Sequence, residues 1–542
     1  MKRILIILTM CFAFTMVGCN ETEFLEESPK DDIFSDNLFV NYDGFNNGLN
    51  ALYSLVRQDR ESSNNVTRAA LWQMGTDNAF VNNGAGATDP FNDYSNLNSS
   101  NGLVENNFNW LYRIVNSANM IIERAEGDVD WLGLSDEEDL ANKNKAIAQA
   151  RLIRAWAYRH LRFGWGEVPL SLEEISGTTY RSDWERASVD EIYDQMEIDL
   201  IFARDNLAMK EDAGMVNSAV AGTMLAELYL AMEENDKAET EALRVINSGE
   251  YNLMTTRFGE TAGEPGTVFS DLFKNPTHTE NKEVLWVLNN AYMDVVGNAY
   301  LYMKNTWFSY YAKDSKLKKT DLDILYTYNG GKGAGRISVS DSAFNWYEPF
   351  DDRYSEYMVK KYYIYPADDD GTTFDTLRYS DMDYDEPSDL EDHFLWPWVR
   401  KWEYNDPYVF ENASRAGQYD DQMFMRLAET YLLAAEALMK NGKGGQAADL
   451  LNELRGRSNA SAITAGDVTL DFILKERSRE LVTEEYRRHT LVRTGKFYEW
   501  AVKYNPRLDA STVSPENALL PIPLSIIDSN TDLEMGQNPG YN

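Results

Sequence analysis

The stretch FMRLAETYLLAAEALMKNGKGGQAADLLNELRGR, running from Phe424 to Arg457, decides how this chain is read. Phe424, Leu427, Ala428, Tyr431, Ala435 and Leu438 recur at i, i+3, i+4 and i+7, the signature of one apolar helix face. Asn441 to Gly445 then supplies glycines at 442, 444 and 445, which stop a helix and turn the chain. A second apolar stripe follows at Ala447, Leu450, Leu451 and Leu454. The pattern predicts a helical hairpin in which Ala435 and Ala447 let two backbones approach closely.

The same pattern stands 209 residues earlier, where Ala219, Ala226, Glu227 and Ala238 fall under Ala428, Ala435, Glu436 and Ala447. Tetratricopeptide hairpins place small residues at such contact points. Here the spacing reads Gly222-x2-Leu225-Ala226-x2-Tyr229 and then Ala238-x3-Ala242. Two copies in matching register predict a mostly α fold. In it, tetratricopeptide-like hairpins form an α/α superhelical scaffold with long irregular loops and a few short strands.

Lys2 and Arg3 precede an apolar run from Ile4 to Val17, too short for a permanent membrane helix. The run ends in Met16-Val17-Gly18-Cys19, which resembles the lipobox of bacterial lipoproteins, with lipid carried on the cysteine after cleavage. Residues 1–18 thus read as a signal peptide and 19–36 as a lipidated tether of low apolar content. Cys11 leaves with the signal, so Cys19 is the one cysteine of the mature chain, and disulfide, thiolate-metal and thiol-nucleophile chemistry are excluded. No aspartate follows Cys19, a pattern that in lipoproteins argues against inner-membrane retention, and the acidic residues after it resemble surface-export signals.

The chain carries 88 Asp and Glu against 51 Lys and Arg, a formal net charge of −37. Such a surface repels phosphate backbones, and nucleic acid is not an expected partner.

Two segments break the helical pattern. Asp77 to Asn109 holds ten asparagines interleaved with Phe80, Phe91 and Tyr94. Tyr292 to Tyr347 is crowded with aromatics, including Trp307, Phe308, Tyr310 and Tyr311. Aromatic faces stack on the C–H faces of pyranose rings, and amides pair with sugar hydroxyls. The expected ligand face therefore joins both loops, with Trp307, Tyr310, Tyr311 and Phe80 for stacking and Asp77, Asn78 and Tyr94 for polar contacts. Trp307 is the first choice, as the largest ring in the densest aromatic run.

Between Asp368 and Asp392 stand eleven carboxylates. Asp381, Asp383 and Asp385, with Asp389 and Asp392, repeat the ligand spacing of a calcium loop, although Glu386 occupies the position that loop gives to glycine. A structural calcium and a merely solvated acidic loop both fit. No other cofactor is expected.

Enzyme signatures are missing. His160, His278, His393 and His489 stand in no zinc spacing, and the chain has no GxSxG and no phosphate loop. A carboxylate pair of the glycosidase kind leaves no sequence trace, because its geometry is tertiary.

Further motifs converge on one family. Ala148 to Tyr158 with the Gly166–Pro169 turn, Asp351-Asp352-Arg353, Arg426-Leu427-Ala428-Glu429 through Glu436, Glu476-Arg477-x2-Glu480-Leu481, Arg493-x-Gly495-Lys496, Pro521-Ile522-Pro523 and Gln537 to Tyr541 resemble SusD/RagB outer-membrane nutrient-binding lipoproteins. Glu485 and Thr490 depart, standing where members of that family usually carry glycine and aspartate.

The resemblance implies a single SusD-like domain over 37–542, with an N-terminal half at 37–250 and a C-terminal half at 280–542. It implies a non-enzymatic lipoprotein, anchored in the outer membrane and exposed at the cell surface. Such a protein binds oligosaccharide or polysaccharide and delivers it to a SusC-like TonB-dependent transporter. Peptide binding, as in some family members, and a helical-toroid glycoside hydrolase are the alternatives.

Overall fold

The computed structural model describes residues 38–541 except 85, 178, 291–300, 315–316, 318–319, 369–372, 382–393 and 404–417. Cys19, Asp383 and Asp385 lie outside the described residues, and Asp381 closes a short 3-10 turn at Tyr379–Asp381.

Eleven helices carry the architecture: α1 Tyr42–Arg57, α2 Gly102–Arg124, α3 Asp136–Trp165, α4 Val189–Asn206, α5 Ser218–Ala231, α6 Asn235–Ile246, α7 Leu427–Lys440, α8 Gly444–Arg457, α9 Leu470–Leu481, α10 Arg487–Arg493 and α11 Phe497–Tyr504. Helices α2 to α6 pack each on the next, α6 packs on α7, and α7 packs on α8 and α9, so the stack continues across the long insertion between residues 246 and 427. The described strands pair only two by two. Four of them matter below: β1 Ala79–Val81, β2 Val284–Leu288, β3 Ile337–Val339 and β4 Gln422–Arg426.

The two hairpins match element for element. Their first helices begin at Ser218 and Leu427 and end at Ala231 and Lys440, and their second helices begin at Asn235 and Gly444. All three pairs of positions are 209 residues apart. Thr223 and Thr430 face each other across the hairpins with their hydroxyls 2.7 Å apart. At Gly222 a Cβ would come within 2.5 Å of Arg244 and 2.8 Å of Val245, so a larger residue would push α6 away.

One boundary differs from the periodic pattern: Phe424, read as helical, lies in β4, which pairs antiparallel with β2. Helix α3 starts at Asp136, where Ser135 caps it and four carboxylates in its first turn complement the helix dipole. Helices α10 and α11 are separated at Gly495, whose φ of +68° is left-handed.

One apolar core runs from Phe39 to Tyr541, and a smaller cluster gathers round Phe269 and Phe273. Beside the apolar core lies a buried ion network. Arg353 meets Asp351 at 2.7 Å, Glu476 at 2.7 Å and Glu480 at 3.0 Å, with none of these four side chains exposed. Glu480 also takes Arg426 at 2.6 Å and pairs with Arg457, while Arg457 reaches Glu283 at 2.5 Å. Arg493 holds Glu436 through two bonds of 2.6 and 2.7 Å. The motifs Asp351–Arg353, Arg426–Glu436, Glu476–Glu480 and Arg493 are thus far apart in sequence but adjacent in space. Each buried charge is matched, which is the condition for tolerating it away from water.

Candidate functional site

The two irregular segments meet. Strand β1 pairs antiparallel with β3, setting Ala79, Phe80 and Val81 opposite Val339, Ser338 and Ile337. The pairing continues outward as Asn82 N–H to Arg336 O at 3.0 Å and Asn83 N–H to Gly335 O at 2.9 Å. The Asn82 amide donates to Ser338 Oγ and the Asn83 amide to Ala334 O, both at 2.9 Å. The loops are therefore held together by backbone pairing as well as by side chains.

Most of the expected ligand residues form the inside of this junction. Asp77 is fully buried and ion-paired to Arg487 at 2.6 Å. Asn78 is buried and accepts the Ser478 hydroxyl at 2.6 Å. The Tyr94 hydroxyl accepts from Arg488 Nη2 at 2.5 Å, and burial raises its pKa. Phe80 is 2 % exposed, with its ring edge-on to Trp396 at 5.3 Å. Trp307 is 3 % exposed and Tyr311 fully buried, its hydroxyl donating to Gly331 O. These six side chains build the face rather than present it. The reason is that a large ring in a dense aromatic run gains most by leaving water altogether.

Asparagine content has an equally local explanation. Asn92 bonds both the N–H and the C=O of Val81, Asn101 caps α2, and Asn107 bonds Leu103 O from within that helix. The helix begins at Gly102, so the irregular segment is shorter than Asp77 to Asn109.

Tyr310 remains at the surface, half-buried, with its ring edge-on to Phe394 at 6.2 Å and Lys313 Nζ 5.2 Å from its centroid. Two residues beyond Phe394, buried Trp396 supports Tyr379 at 5.6 Å. The Arg507 guanidinium covers the rings of Phe80 and Trp396 at 5.1 and 5.4 Å. Asp341 is half-buried, and burial lifts its carboxyl above the usual range against the pull of Arg507. Burial, and then Asp341, push the Tyr379 hydroxyl up to about 12. Half-exposed rings, a cation, a carboxylate and the Asn82–Asn83 amides therefore share one face.

Tyr379, Phe394, Asp341 and Arg507 were absent from the expected set. A signal existed for two of them, since Tyr379 stands within the acidic segment and Phe394 just beyond it. Among the described residues, no group of three or more His, Cys, Asp or Glu side chains is arranged to hold a metal.

Also among the described residues, no helix is long and apolar enough to cross a membrane. The SusD family model matches residues 275–541, and a second, described as "Starch-binding associating with outer membrane", matches 23–230. SusD-like protein P25 of Formosa agariphila is 22 % identical, with 99 % of both chains covered. The starch-binding protein SusD of Bacteroides thetaiotaomicron is 39 % identical over 125 residues, 22 % of each chain. A laminarin-binding SusD-like protein of known structure superposes with a TM-score of 0.70 at 21 % identity, covering 93 % of this chain and all of its own. Family models over both halves, a stack of helical hairpins and motifs whose charges meet in buried ion pairs lead to a single assignment: the chain belongs to the SusD family.

Proposed function

We propose that this protein binds a glycan on the face around Tyr310, Tyr379 and Phe394 and passes it to a SusC-like TonB-dependent transporter, without cleaving it. In this reading Cys19 carries the lipid that holds the mature chain on the outer membrane, facing outward. The observation that carries the proposal is the pair of half-buried aromatic contacts at the junction of two loops. Tyr379 is held edge-on by buried Trp396 and Tyr310 by half-buried Phe394, so both rings are positioned in advance and lose little entropy when a sugar docks. Arg507, Asp341 and the two amides supply direction for hydroxyls. The naming of relatives for starch and laminarin points to neutral glucans as the first ligands to try.

Titration calorimetry of the mature chain against laminarin and starch oligosaccharides tests the reading, with reducing ends assayed in the same mixtures. Binding that falls in Tyr310→Ala and Tyr379→Ala, with no new reducing ends, supports it. Release of reducing ends would reassign the protein as a hydrolase. Tighter binding of oligopeptides than of any glycan would reassign it as a peptide carrier.

A further inference from the structure

A second cleft lies away from the loop junction, between α2, the stretches 169–175 and 180–184, and the C-terminal stretch from Ile526 to Met535. Its volume of about 780 Å³ falls within the range of small-molecule sites. The walls are fixed by reciprocal amide bonds. Asn116 bonds both the N–H and the C=O of Ile175 at 2.7 and 3.0 Å. Asn530 does the same for Trp184, at 2.7 and 2.9 Å.

Its lining is out of keeping with the rest of the chain. Carboxylates outnumber Lys and Arg by 88 to 51 in the sequence, yet the lining has Arg113 and Arg181 and no Asp or Glu. Arg181 lies over the Trp184 ring at 4.4 Å and is partly neutralised by Asp183 at 2.8 Å. Arg113 is exposed on α2, and no carboxylate pairs with it among the described residues. Tyr180 is 68 % exposed, and Tyr112 is held by its hydroxyl to Pro169 O at 2.7 Å.

We propose that this cleft is a second carbohydrate site, selective for an anionic sugar that carries a carboxylate or a sulfate. Tyr180, Tyr112 and Trp184 offer rings to the apolar faces of the sugar. Arg113 offers a planar donor fork to its anion. Strongly negative surroundings would repel such a ligand elsewhere, so two arginines without lining carboxylates make the cleft a local exception. The site is independent of the loop face and could operate whatever that face binds.

The test titrates the full mature chain with trigalacturonic acid, a sulfated carrageenan tetrasaccharide and maltotriose, then repeats each titration with Arg113→Gln, Tyr180→Ala and Tyr310→Ala. At least one anionic sugar is expected to bind, and to weaken about fivefold or more in Arg113→Gln and in Tyr180→Ala. Tyr310→Ala should leave that binding unchanged, which separates this site from the loop face. Failure of both anionic sugars to bind, or equal binding by the parent and Arg113→Gln, overturns the proposal. Preferential binding of tetraglutamate also overturns it, in favour of an acidic peptide. Arg113 and Tyr180 are exposed, so neither substitution endangers folding.

Discussion

Thr490 Oγ1 donates to Glu485 Oε1 at 2.6 Å, and the same carboxylate holds Arg477 at 2.6 Å and Arg487 at 3.1 Å. These are the two positions at which the sequence departs from the glycine and aspartate that the family resemblance leads one to expect. The Glu485 carboxylate neutralises Arg477 and Arg487, and the hydroxyl at 490 supports it. Burial pushes the Glu485 carboxyl up, but Arg477 and Arg487 outweigh that effect and hold it at about 2. Glu485→Gly should cost about 3 kcal/mol, since it leaves buried arginine charge under-compensated. Thr490→Asp alone should also destabilise, by setting two carboxylates side by side. Together they should recover most of the loss, a coupling of about 1–3 kcal/mol in denaturant unfolding. Strict additivity of the two changes would show that the sites do not exchange the charge.

Glu480 is the node of the larger network, meeting Arg353, Arg426 and Arg457 while fully buried. Its removal should be felt more than that of any surface pair. Glu480→Gln is expected to lower stability by about 3–5 kcal/mol. Lys237→Gln, which breaks an exposed pair with Glu197, should change it by less than about 1 kcal/mol. Similar losses in urea melts of the two variants would contradict the assignment of Glu480 as the node.

Trp307 and Tyr310 make opposite predictions although they are three residues apart. Trp307→Ala opens a cavity in the core and should cost about 3–5 kcal/mol. Tyr310→Ala should leave melting within a few degrees of the parent and weaken glycan binding about tenfold, equivalent to roughly 1.4 kcal/mol. A stable Trp307→Ala variant that had lost its ligand would return the stacking role to Trp307.

Acid should loosen the fold in two stages. His160 and His489 are fully buried with ring nitrogens 3.4 Å apart. Burial keeps both imidazoles well below their ordinary range, and Arg159 adds to this, as do His160 and Arg488 for His489. The unfolded chain binds these two protons near pH 6.5 and the folded chain does not, so stability declines as pH falls below that value. Asp59 works the other way. Burial raises it to about 6, so the folded form takes its proton first and gains stability between pH 6 and about 4. Burial raises Glu61, Asp341, Asp352 and Glu429 in the same direction, so these carboxyls together offset part of the histidine contribution in this range. Glu436, Glu476 and Glu485, held at about 2 by their arginines against the opposing effect of burial, add their loss below about pH 4.5. Calorimetric melting should show a plateau near pH 7–8, a decline from about 6.5 and a steeper one below about 4.5. A decline from pH 6.5 that persists unchanged when His160 and His489 are both replaced by Gln would rule out neutral buried histidines as its source.

The lipid anchor and the acidic segment are tested separately. Cys19→Ala should move the protein from the membrane fraction to the soluble one, since several acyl chains are needed for stable anchoring. If Asp381, Asp383 and Asp385 bind calcium, chelator should lower the melting temperature and calcium restore it. No shift with either would leave the segment as a solvated acidic loop.

Sequence by itself determined the scaffold. Helical hairpins declare themselves through local periodicity, small residues at contact points and glycine at their turns, all set within a few dozen residues. The 209-residue displacement was legible because both copies solve the same packing problem with the same side chains. Even the meeting of the two irregular segments could be anticipated, because both break the pattern and both are rich in rings and amides.

Exposure was not legible. Whether an aromatic fills the core or faces water depends on what packs over it, and Trp396, Arg507 and Tyr363 come from distant parts of the chain. Local composition therefore favoured Trp307, while the fold left Tyr310 at the surface. The charged motifs gave the same lesson from the other side. Arg353, Arg426, Arg457 and Glu480 look like solvated charges one at a time, and only tertiary structure brings them close enough for each to neutralise the next.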